Sequence, residues 1–151
     1  MSVWEQFCNN KILISSITGW FVAQVLKTII HLILSKEFSP ERLVGSGGMP
    51  SSHSATVCAL ATATYMEYGI GGHEFALAAI LAIIVMYDAR GVRWEAGKQA
   101  KILNEMISIF TNMGNSLKTP EEKLKEFVGH TPLQVLMGAL LGIFISILFY
   151  L

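Results

Sequence analysis

Two long apolar segments, Ile12 to Leu34 and Pro132 to Leu151, constrain the fold of this chain more than any other feature. A helix needs about 20 mostly apolar residues to cross a hydrocarbon layer of about 30 Å, and each segment is long enough. Composition agrees, since 52% of the residues are hydrophobic and only 15% are charged, against about 25% charged in a typical soluble domain. The sequence therefore predicts an integral membrane protein.

Two shorter apolar stretches lie between these segments. The stretch after Pro50 is rich in Ala, Thr and Ser, which are small residues that let membrane helices approach closely. The next stretch is long enough to span only if it includes Asp88 and Arg90; otherwise it is re-entrant. We predict an all-α polytopic bundle forming a single domain, residues 1–151. Its predicted spans are about 12–34, 52–69, 75–92 and 132–151, with a polar, helical, interfacial loop at 93–131.

The basic residues predict an orientation in the membrane. With four spans, the loop at 35–49 and the long loop at 93–131 share one side, and these loops carry most of the Lys and Arg residues. The positive-inside rule then places both loops in the cytoplasm and both termini outside. The predicted location is the plasma membrane if the source is bacterial.

Charge and cysteine content exclude several classes of function. The formal net charge is zero, so the chain has no overall basic field for nucleic acid. Cys8 and Cys58 form neither a metal-ligand cluster nor a disulfide framework. We therefore expect no nucleic-acid partner, no metal and no cofactor.

A glycine-rich stretch leads into the second predicted span. Gly47 and Gly48 can turn backbone N–H groups toward an anion, and the helix start, with Pro50 suited to its first position, adds positive partial charge. Ser51 and Ser52 can donate further hydrogen bonds, and His53 follows in the first turn. The alternative is a glycine loop that only caps a membrane helix. The residue pattern alone does not separate an anion site from this alternative.

A second polar cluster begins at Asp88 and contains Arg90 and Arg93. If it forms one helix, one face carries Arg90, Arg93, Lys101 and Asn104, and the other carries Asp88, Glu95 and Gln99. Charges at membrane depth are costly unless they are paired or face water, so we expect Asp88 and Arg90 to face the bundle interior. Two guanidinium groups suit a phosphate. The alternative is an interfacial helix whose basic residues meet lipid headgroups.

The third polar site is His130, immediately before the last span. In the four-span arrangement it lies on the same side of the membrane as His53. A neutral imidazole can attack phosphorus, and a second, protonated imidazole can donate a proton to the leaving oxygen. Lys27, within the first span, needs a partner or water; it reaches the phosphate site or pairs with Asp88.

The sequence motifs resemble those of the divergent type 2 phosphatidic acid phosphatase family. The matching strings are GGMPSSHSA, then YDARGVR with GKQA and LNE, then GHTPLQV with GALLG. These small membrane proteins are related to acid phosphatases and vanadium-dependent haloperoxidases. The resemblance implies that His53 protonates the leaving group, that His130 is the nucleophile and that the reaction needs no metal.

The chain departs from the wider superfamily at three places. Gln134 stands where an orienting aspartate is expected, and Leu124 stands where an arginine is expected. The lysine–arginine–proline motif is approximated only by Lys36 and Arg42, which Leu43 follows. We hypothesise that Arg90 and Arg93 replace the missing phosphate-binding groups and that Asp88 orients one histidine.

These observations predict a phosphatase that removes phosphate from a phospholipid or polyprenyl phosphate at the cytoplasmic leaflet through a phosphohistidine. The alternatives are a non-catalytic lipid-phosphate binder or transporter, and a structural membrane subunit that uses Gly138 and Gly142 for helix association. The expected partners are the lipid substrate, membrane lipids and further copies of the chain in a homo-oligomer. We favour packing of that glycine pair within one chain. The predicted catalytic residues are His53, His130 and Asp88, and the predicted phosphate-binding residues are Arg90, Arg93, Ser51, Ser52, Gly47, Gly48, Lys27 and Arg42.

Overall fold

The computed structural model describes residues 2–36, 47–112, 124 and 129–151, without the side chains of residues 92–94, 111 and 112. Its helices are α1 (Val3–Asn9), α2 (Lys11–Ser35), α3 (Ser52–Tyr68), α4 (His73–Arg90), α5 (Val92–Asn112) and α6 (Pro132–Tyr150). The described residues contain no strand, so the prediction of an all-α membrane bundle is confirmed.

Three helical stretches of the described chain are long and apolar enough to cross a membrane. They are Lys11–Ser35, His73–Phe110, which includes α4, and Pro132–Tyr150. Helix α3 coincides with the second predicted span but has only 17 residues, fewer than the about 20 that usually cross hydrocarbon. The helix positions therefore agree with the sequence, whereas the count of four spans stays a prediction.

Helix α3 is the centre of the bundle and packs against α2, α4 and α6. Its buried residues are mainly Ala and Ser, while large side chains such as Phe144 and Ile84 are exposed on the outer helices. Small residues inside and large apolar residues outside are what a lipid solvent favours, because close helix contact replaces the hydrophobic driving force of water.

The glycine pair on α6 lies against α3. A side chain at Gly138 would meet the Ser51 carbonyl oxygen and Ser54, and one at Gly142 would meet the backbone of Ala55 and Ala59. Both glycines are buried in this contact. The pair therefore packs within one chain, as we favoured, and the homo-oligomer stays a prediction.

Two helix starts differ from the sequence prediction. Ser51 is the N-cap of α3, because its side chain accepts a hydrogen bond from the Ser54 N–H, so Pro50 precedes the cap and is not the first helical residue. Helix α1 was not predicted. It begins with a capping box in which Ser2 and Glu5 exchange hydrogen bonds, and this Ser-x-x-Glu spacing is readable in the sequence.

The polar cluster after Asp88 is not one helix. Helix α4 ends at Arg90, and α5 begins at Val92 after Gly91, so the single shared face predicted for Arg90, Lys101 and Asn104 does not exist. Arg90 is exposed and does not face the bundle interior, because it ends α4 at the rim of the bundle. The predicted helical half of the polar loop is confirmed by α5.

Candidate functional site

His53 and His130 lie side by side at one end of the bundle. The two ring centroids are 5.8 Å apart, and the rings meet edge to face at 65°. His53 stands in the first turn of α3, and His130 immediately precedes the α6 N-cap, Thr131. The close packing of α3 on α6 therefore brings together two histidines that are far apart in the sequence.

His130 is held in place by its backbone and by its ring. Its N–H donates to the Ala89 carbonyl at the end of α4 (3.1 Å), and its Nδ1 lies 3.3 Å from the Gln134 side-chain oxygen. The residue is 1% exposed. Burial lowers the pKa of His130 from 6.5 to about 4. The contact with Gln134 opposes this shift, Lys27 and His53 add to it, and the Gly48 backbone also opposes it. The ring is therefore neutral at pH 7.

Lys27 is buried close to the histidine pair. Its ammonium donates to the Gln24 side-chain oxygen (2.7 Å) and to Ser52 Oγ (3.4 Å), and the residue is 1% exposed. The charge of Lys27 also lowers the pKa of His130. Both roles left open for Lys27, phosphate binding and pairing with Asp88, stay predictions.

The glycine stretch at Gly47 and Gly48 lies next to the aliphatic part of the Lys27 side chain. Gly47 and Gly48 have φ angles of 96° and 84°, a backbone conformation that favours glycine. A side chain at Gly48 would approach the Lys27 Cγ within 3.1 Å. The sequence correctly indicated a glycine-dependent turn here, and the Gly48 backbone lies against the aliphatic carbons of the buried Lys27 side chain.

The two serines before His53 are both buried, but they differ in their surroundings. Ser51 Oγ accepts from the Ser54 N–H and from the Ser54 hydroxyl, so its oxygen is used by the helix cap. Ser52 Oγ faces the Lys27 ammonium. Ser52 is therefore the better placed of the two for a ligand beside Lys27.

Two cavities flank the segment His130–Gln134. One, of about 530 Å³, is lined by Arg90, Glu95 and His130 together with Tyr87, Gly91, Thr131 and Pro132. The other, of about 310 Å³, is lined by Lys27, His31, Gly48 and Gln134 with apolar side chains of α2 and α6. The structure thus brings one cationic side chain to each side of this segment.

The structure describes the remaining predicted residues in less detail. Asp88 is half-buried one residue before Ala89, whose carbonyl binds the His130 N–H, and its orienting role stays a prediction. The side chain of Arg93 and all of Arg42 lie outside the described residues. Leu124 is exposed, and its backbone exchanges two hydrogen bonds with the Asn104 side chain. Within the described ranges, no group of three or more His, Cys, Asp or Glu side chains could hold a metal ion.

Gln134 contributes to the site in a way that the sequence comparison with the superfamily missed. Its side-chain oxygen accepts from the Thr131 N–H (3.0 Å) and lies beside the His130 ring. The Thr131-x-x-Gln134 spacing is a capping box, which was the sequence signal that could have revealed this position.

Comparison with known proteins agrees with this geometry and with the motifs. Residues 8–145 match the Divergent PAP2 family. The chain belongs to this family. It is 39% identical over 150 residues to the uncharacterized membrane protein YuiD of Bacillus subtilis (strain 168), with 94% of this chain and 95% of the relative covered. No solved structure matches the chain.

Membership of the Divergent PAP2 family and the apolar helices together indicate a membrane protein. The residues that match the family, 8–145, extend from α1 into α6. The histidine pair, Lys27 and Gln134 therefore all lie in the part of the chain that matches the family.

Proposed function

We propose that this protein is a membrane phosphatase that removes the phosphate group from a phospholipid or polyprenyl phosphate through a phosphohistidine intermediate. The observation that carries the proposal is the contact between His53 and His130, whose ring centroids are 5.8 Å apart beside a buried lysine. Two imidazoles can serve as nucleophile and general acid on a phosphate monoester, and a cation can bind its oxygens.

In the first step, the neutral His130 Nε2 forms a bond to phosphorus while the bond from phosphorus to the lipid oxygen breaks. A protonated His53 gives its proton to that oxygen, so the lipid leaves as an alcohol. In the second step, water attacks the phosphohistidine and gives its proton to His53. The nitrogen–phosphorus bond breaks, inorganic phosphate leaves, and His130 returns to its neutral form.

The cations near the pair support binding of the phosphate. Lys27 lies beside Ser52, and Arg90 lines the same cavity as His130. A guanidinium and an ammonium can both bind phosphate oxygens and offset charge that develops in the transition state. Arg93 and Arg42 remain predicted members of this binding group, as does Asp88 as an orienting residue.

The test is release of inorganic phosphate by the purified protein in detergent micelles. The substrates are phosphatidic acid, phosphatidylglycerophosphate and a polyprenyl phosphate, each with and without vanadate. We expect vanadate-sensitive turnover, with no turnover left in His130→Ala and a loss of about 100-fold or more in His53→Ala. His73→Ala is the matched control, because His73 is an exposed histidine in the turn that opens α4.

A non-catalytic lipid-phosphate binder or transporter is the second candidate. It is favoured by the neutral Gln134 at the place of an aspartate and by the burial of His130 Nε2. A binder would show no turnover on any substrate, would bind phosphate lipid equally well in His130→Ala, and would lose affinity in Arg90→Gln.

The proposed site faces the cytoplasm, because the predicted cytoplasmic loops carry most of the basic residues. A reporter fused to the C-terminus tests this assignment. Activity of a reporter that works only outside the cytoplasm is the expected result, and activity of one that works only inside would contradict the leaflet assignment.

A further inference from the structure

The side chain of Gln134 makes two contacts through one oxygen atom. Oε1 lies 3.0 Å from the Thr131 backbone nitrogen and 3.3 Å from His130 Nδ1. A backbone N–H can only donate, so the amide oxygen, and not the amide NH₂, must face it. A carbonyl oxygen has two lone pairs and can accept from a second donor.

This arrangement selects one tautomer of His130. Since Oε1 is an acceptor, Nδ1 must carry the hydrogen to form a favourable contact, and the lone pair is then on Nε2. Nε2 is buried and makes no hydrogen bond of ordinary geometry among the described residues, although the Gly48 backbone lies close enough to the ring to raise the pKa of His130 slightly. Buried polar atoms are nearly always hydrogen-bonded, so a buried lone pair of this kind calls for a functional explanation.

The backbone around Gln134 holds this contact rigidly. Its carbonyl accepts from the Ser51 N–H at the start of α3 (3.0 Å), and the His130 N–H is bound to Ala89 on α4. The residue that orients the ring is therefore tied directly to α3, and the ring itself is tied to α4. Small movements of either helix would disturb the ring less than they would if Gln134 belonged to a loop.

We propose that Gln134 is the positioning residue of His130: its amide oxygen holds the ring in the Nδ1–H tautomer and presents the Nε2 lone pair for attack on phosphorus. This inference deepens the proposed function and rests on it for the attack step. Gln134 stands where the superfamily has an aspartate, and in this proposal it accepts the same kind of hydrogen bond without carrying a charge.

An uncharged acceptor has a chemical consequence. A carboxylate would stabilise the protonated ring, whereas an amide oxygen orients the ring with much less effect on its proton affinity. The charged and titratable groups around His130 are Lys27 on α2, His53 on α3, Arg90 on α4 and Glu95 on α5. With Gln134 neutral, burial above all, with smaller contributions from Lys27 and His53, lowers the pKa of His130 and keeps the ring unprotonated at neutral pH.

The first test reads the tautomer directly and does not depend on turnover. The protein is labelled with ¹⁵N-histidine in micelles, and the ring nitrogen shifts of His130 are identified among the four histidines by their loss in His130→Asn. We expect the Nδ1–H tautomer in the wild type and in Gln134→Glu, and a shift toward the Nε2–H tautomer in Gln134→Leu. An unchanged tautomer in Gln134→Leu would overturn the proposal.

The second test uses the added charge of Gln134→Glu. Glutamate at this position keeps the capping box, so the fold is retained, and its carboxylate should raise the pKa of His130 by about one unit or more. The acid limb of the activity profile should move to higher pH by the same amount, since the protonated ring cannot attack. Gln99→Glu, on the exposed part of α5, is the matched control. It should change neither the pKa of His130 nor the acid limb of the activity profile.

The two tests separate the inference from the proposed function. If the wild type hydrolyses no substrate but the tautomer changes as expected, the positioning role stands and the phosphatase proposal fails. If the wild type is active and the pH limb of Gln134→Glu stays in place, the phosphatase proposal stands and the role of Gln134 is wrong.

Discussion

The contact of α3 with α6 and the junction of α4 with α5 both contribute to the candidate site, but they are built differently. At the first, Gly138 and Gly142 let the α3 backbone approach closely, and the histidines are fixed by packing and backbone hydrogen bonds. At the second, Gly91 separates two helices, and Arg90 is exposed at the end of α4. The buried contact therefore supplies precise geometry, and the junction supplies charge at the rim.

This difference predicts which substitutions damage the fold and which damage only the binding of phosphate. Groups in the α3–α6 contact have backbone neighbours that cannot move aside. Groups at the rim are screened by solvent and can adopt other rotamers, so each contributes less. Three substitutions, from the largest expected effect to the smallest, test the comparison.

Gly142→Leu should have the largest effect because it places a side chain against the backbone of Ala55 and Ala59. Forcing extra atoms into a packed contact costs about 1–3 kcal/mol or more, and backbone neighbours put this case at the upper end. We expect a clear loss of thermal stability in micelles and a complete loss of phosphate-lipid binding. Gly71→Leu, at a turn with open space around it, is the control and should unfold like the wild type. Equal stability of the two variants would contradict the packing role.

Lys27→Met should separate stability from binding. The change removes a buried ammonium but keeps most of the volume, so the loss of stability comes mainly from the hydrogen bonds that Gln24 and Ser52 lose, about 1–3 kcal/mol. Affinity for a phosphate lipid should fall about tenfold or more, since a charge-assisted hydrogen bond is worth about 1.5–3 kcal/mol. Binding is measured by titration in micelles. Lys98→Met, an exposed lysine paired with Glu95, is the control. Unchanged affinity in Lys27→Met would show that Lys27 does not bind phosphate and has only a structural role.

Arg90→Gln should have the smallest effect. Exposed ion pairs contribute about 0.2–1 kcal/mol, so we expect an affinity loss of about fivefold or less, with thermal stability unchanged. The loss should shrink further as salt is added, because exposed charges are screened. Lys101→Gln, also exposed but on α5, serves as the reference. A larger loss in Arg90→Gln than in Lys27→Met would reverse the comparison and assign the main phosphate contact to the rim.

The helices were the most predictable part of this protein, and the reasons are local. Continuous apolar composition predicted α2 and α6, and small residues predicted a closely packed α3. The break at Gly91 was not foreseen, because glycine is tolerated within many helices and the flanking residues favour helix on both sides. The start of α3 after Ser51 was missed because proline at a helix start normally occupies the first position.

The candidate site was only partly predictable. His53 and His130 were identified as a pair from their motifs and from the expected membrane side. In the sequence, Gln134 indicates the loss of an orienting residue. A comparison with aspartate registers the missing charge, but it does not show that the amide oxygen can still accept a hydrogen bond. Its contact with His130 depends on the capping box at the start of α6, which places the amide oxygen beside the ring.

The sequence by itself determined that the chain is a membrane protein of helices and which residue types are available for phosphate chemistry, because hydropathy and motifs are properties of neighbouring residues. Only the tertiary structure decided that the rings of His53 and His130 meet, that Lys27 lies buried beside Ser52, and that Gln134 binds the ring. These contacts arise where separate helices cross. Their distances depend on how closely the backbones approach, which no local pattern specifies.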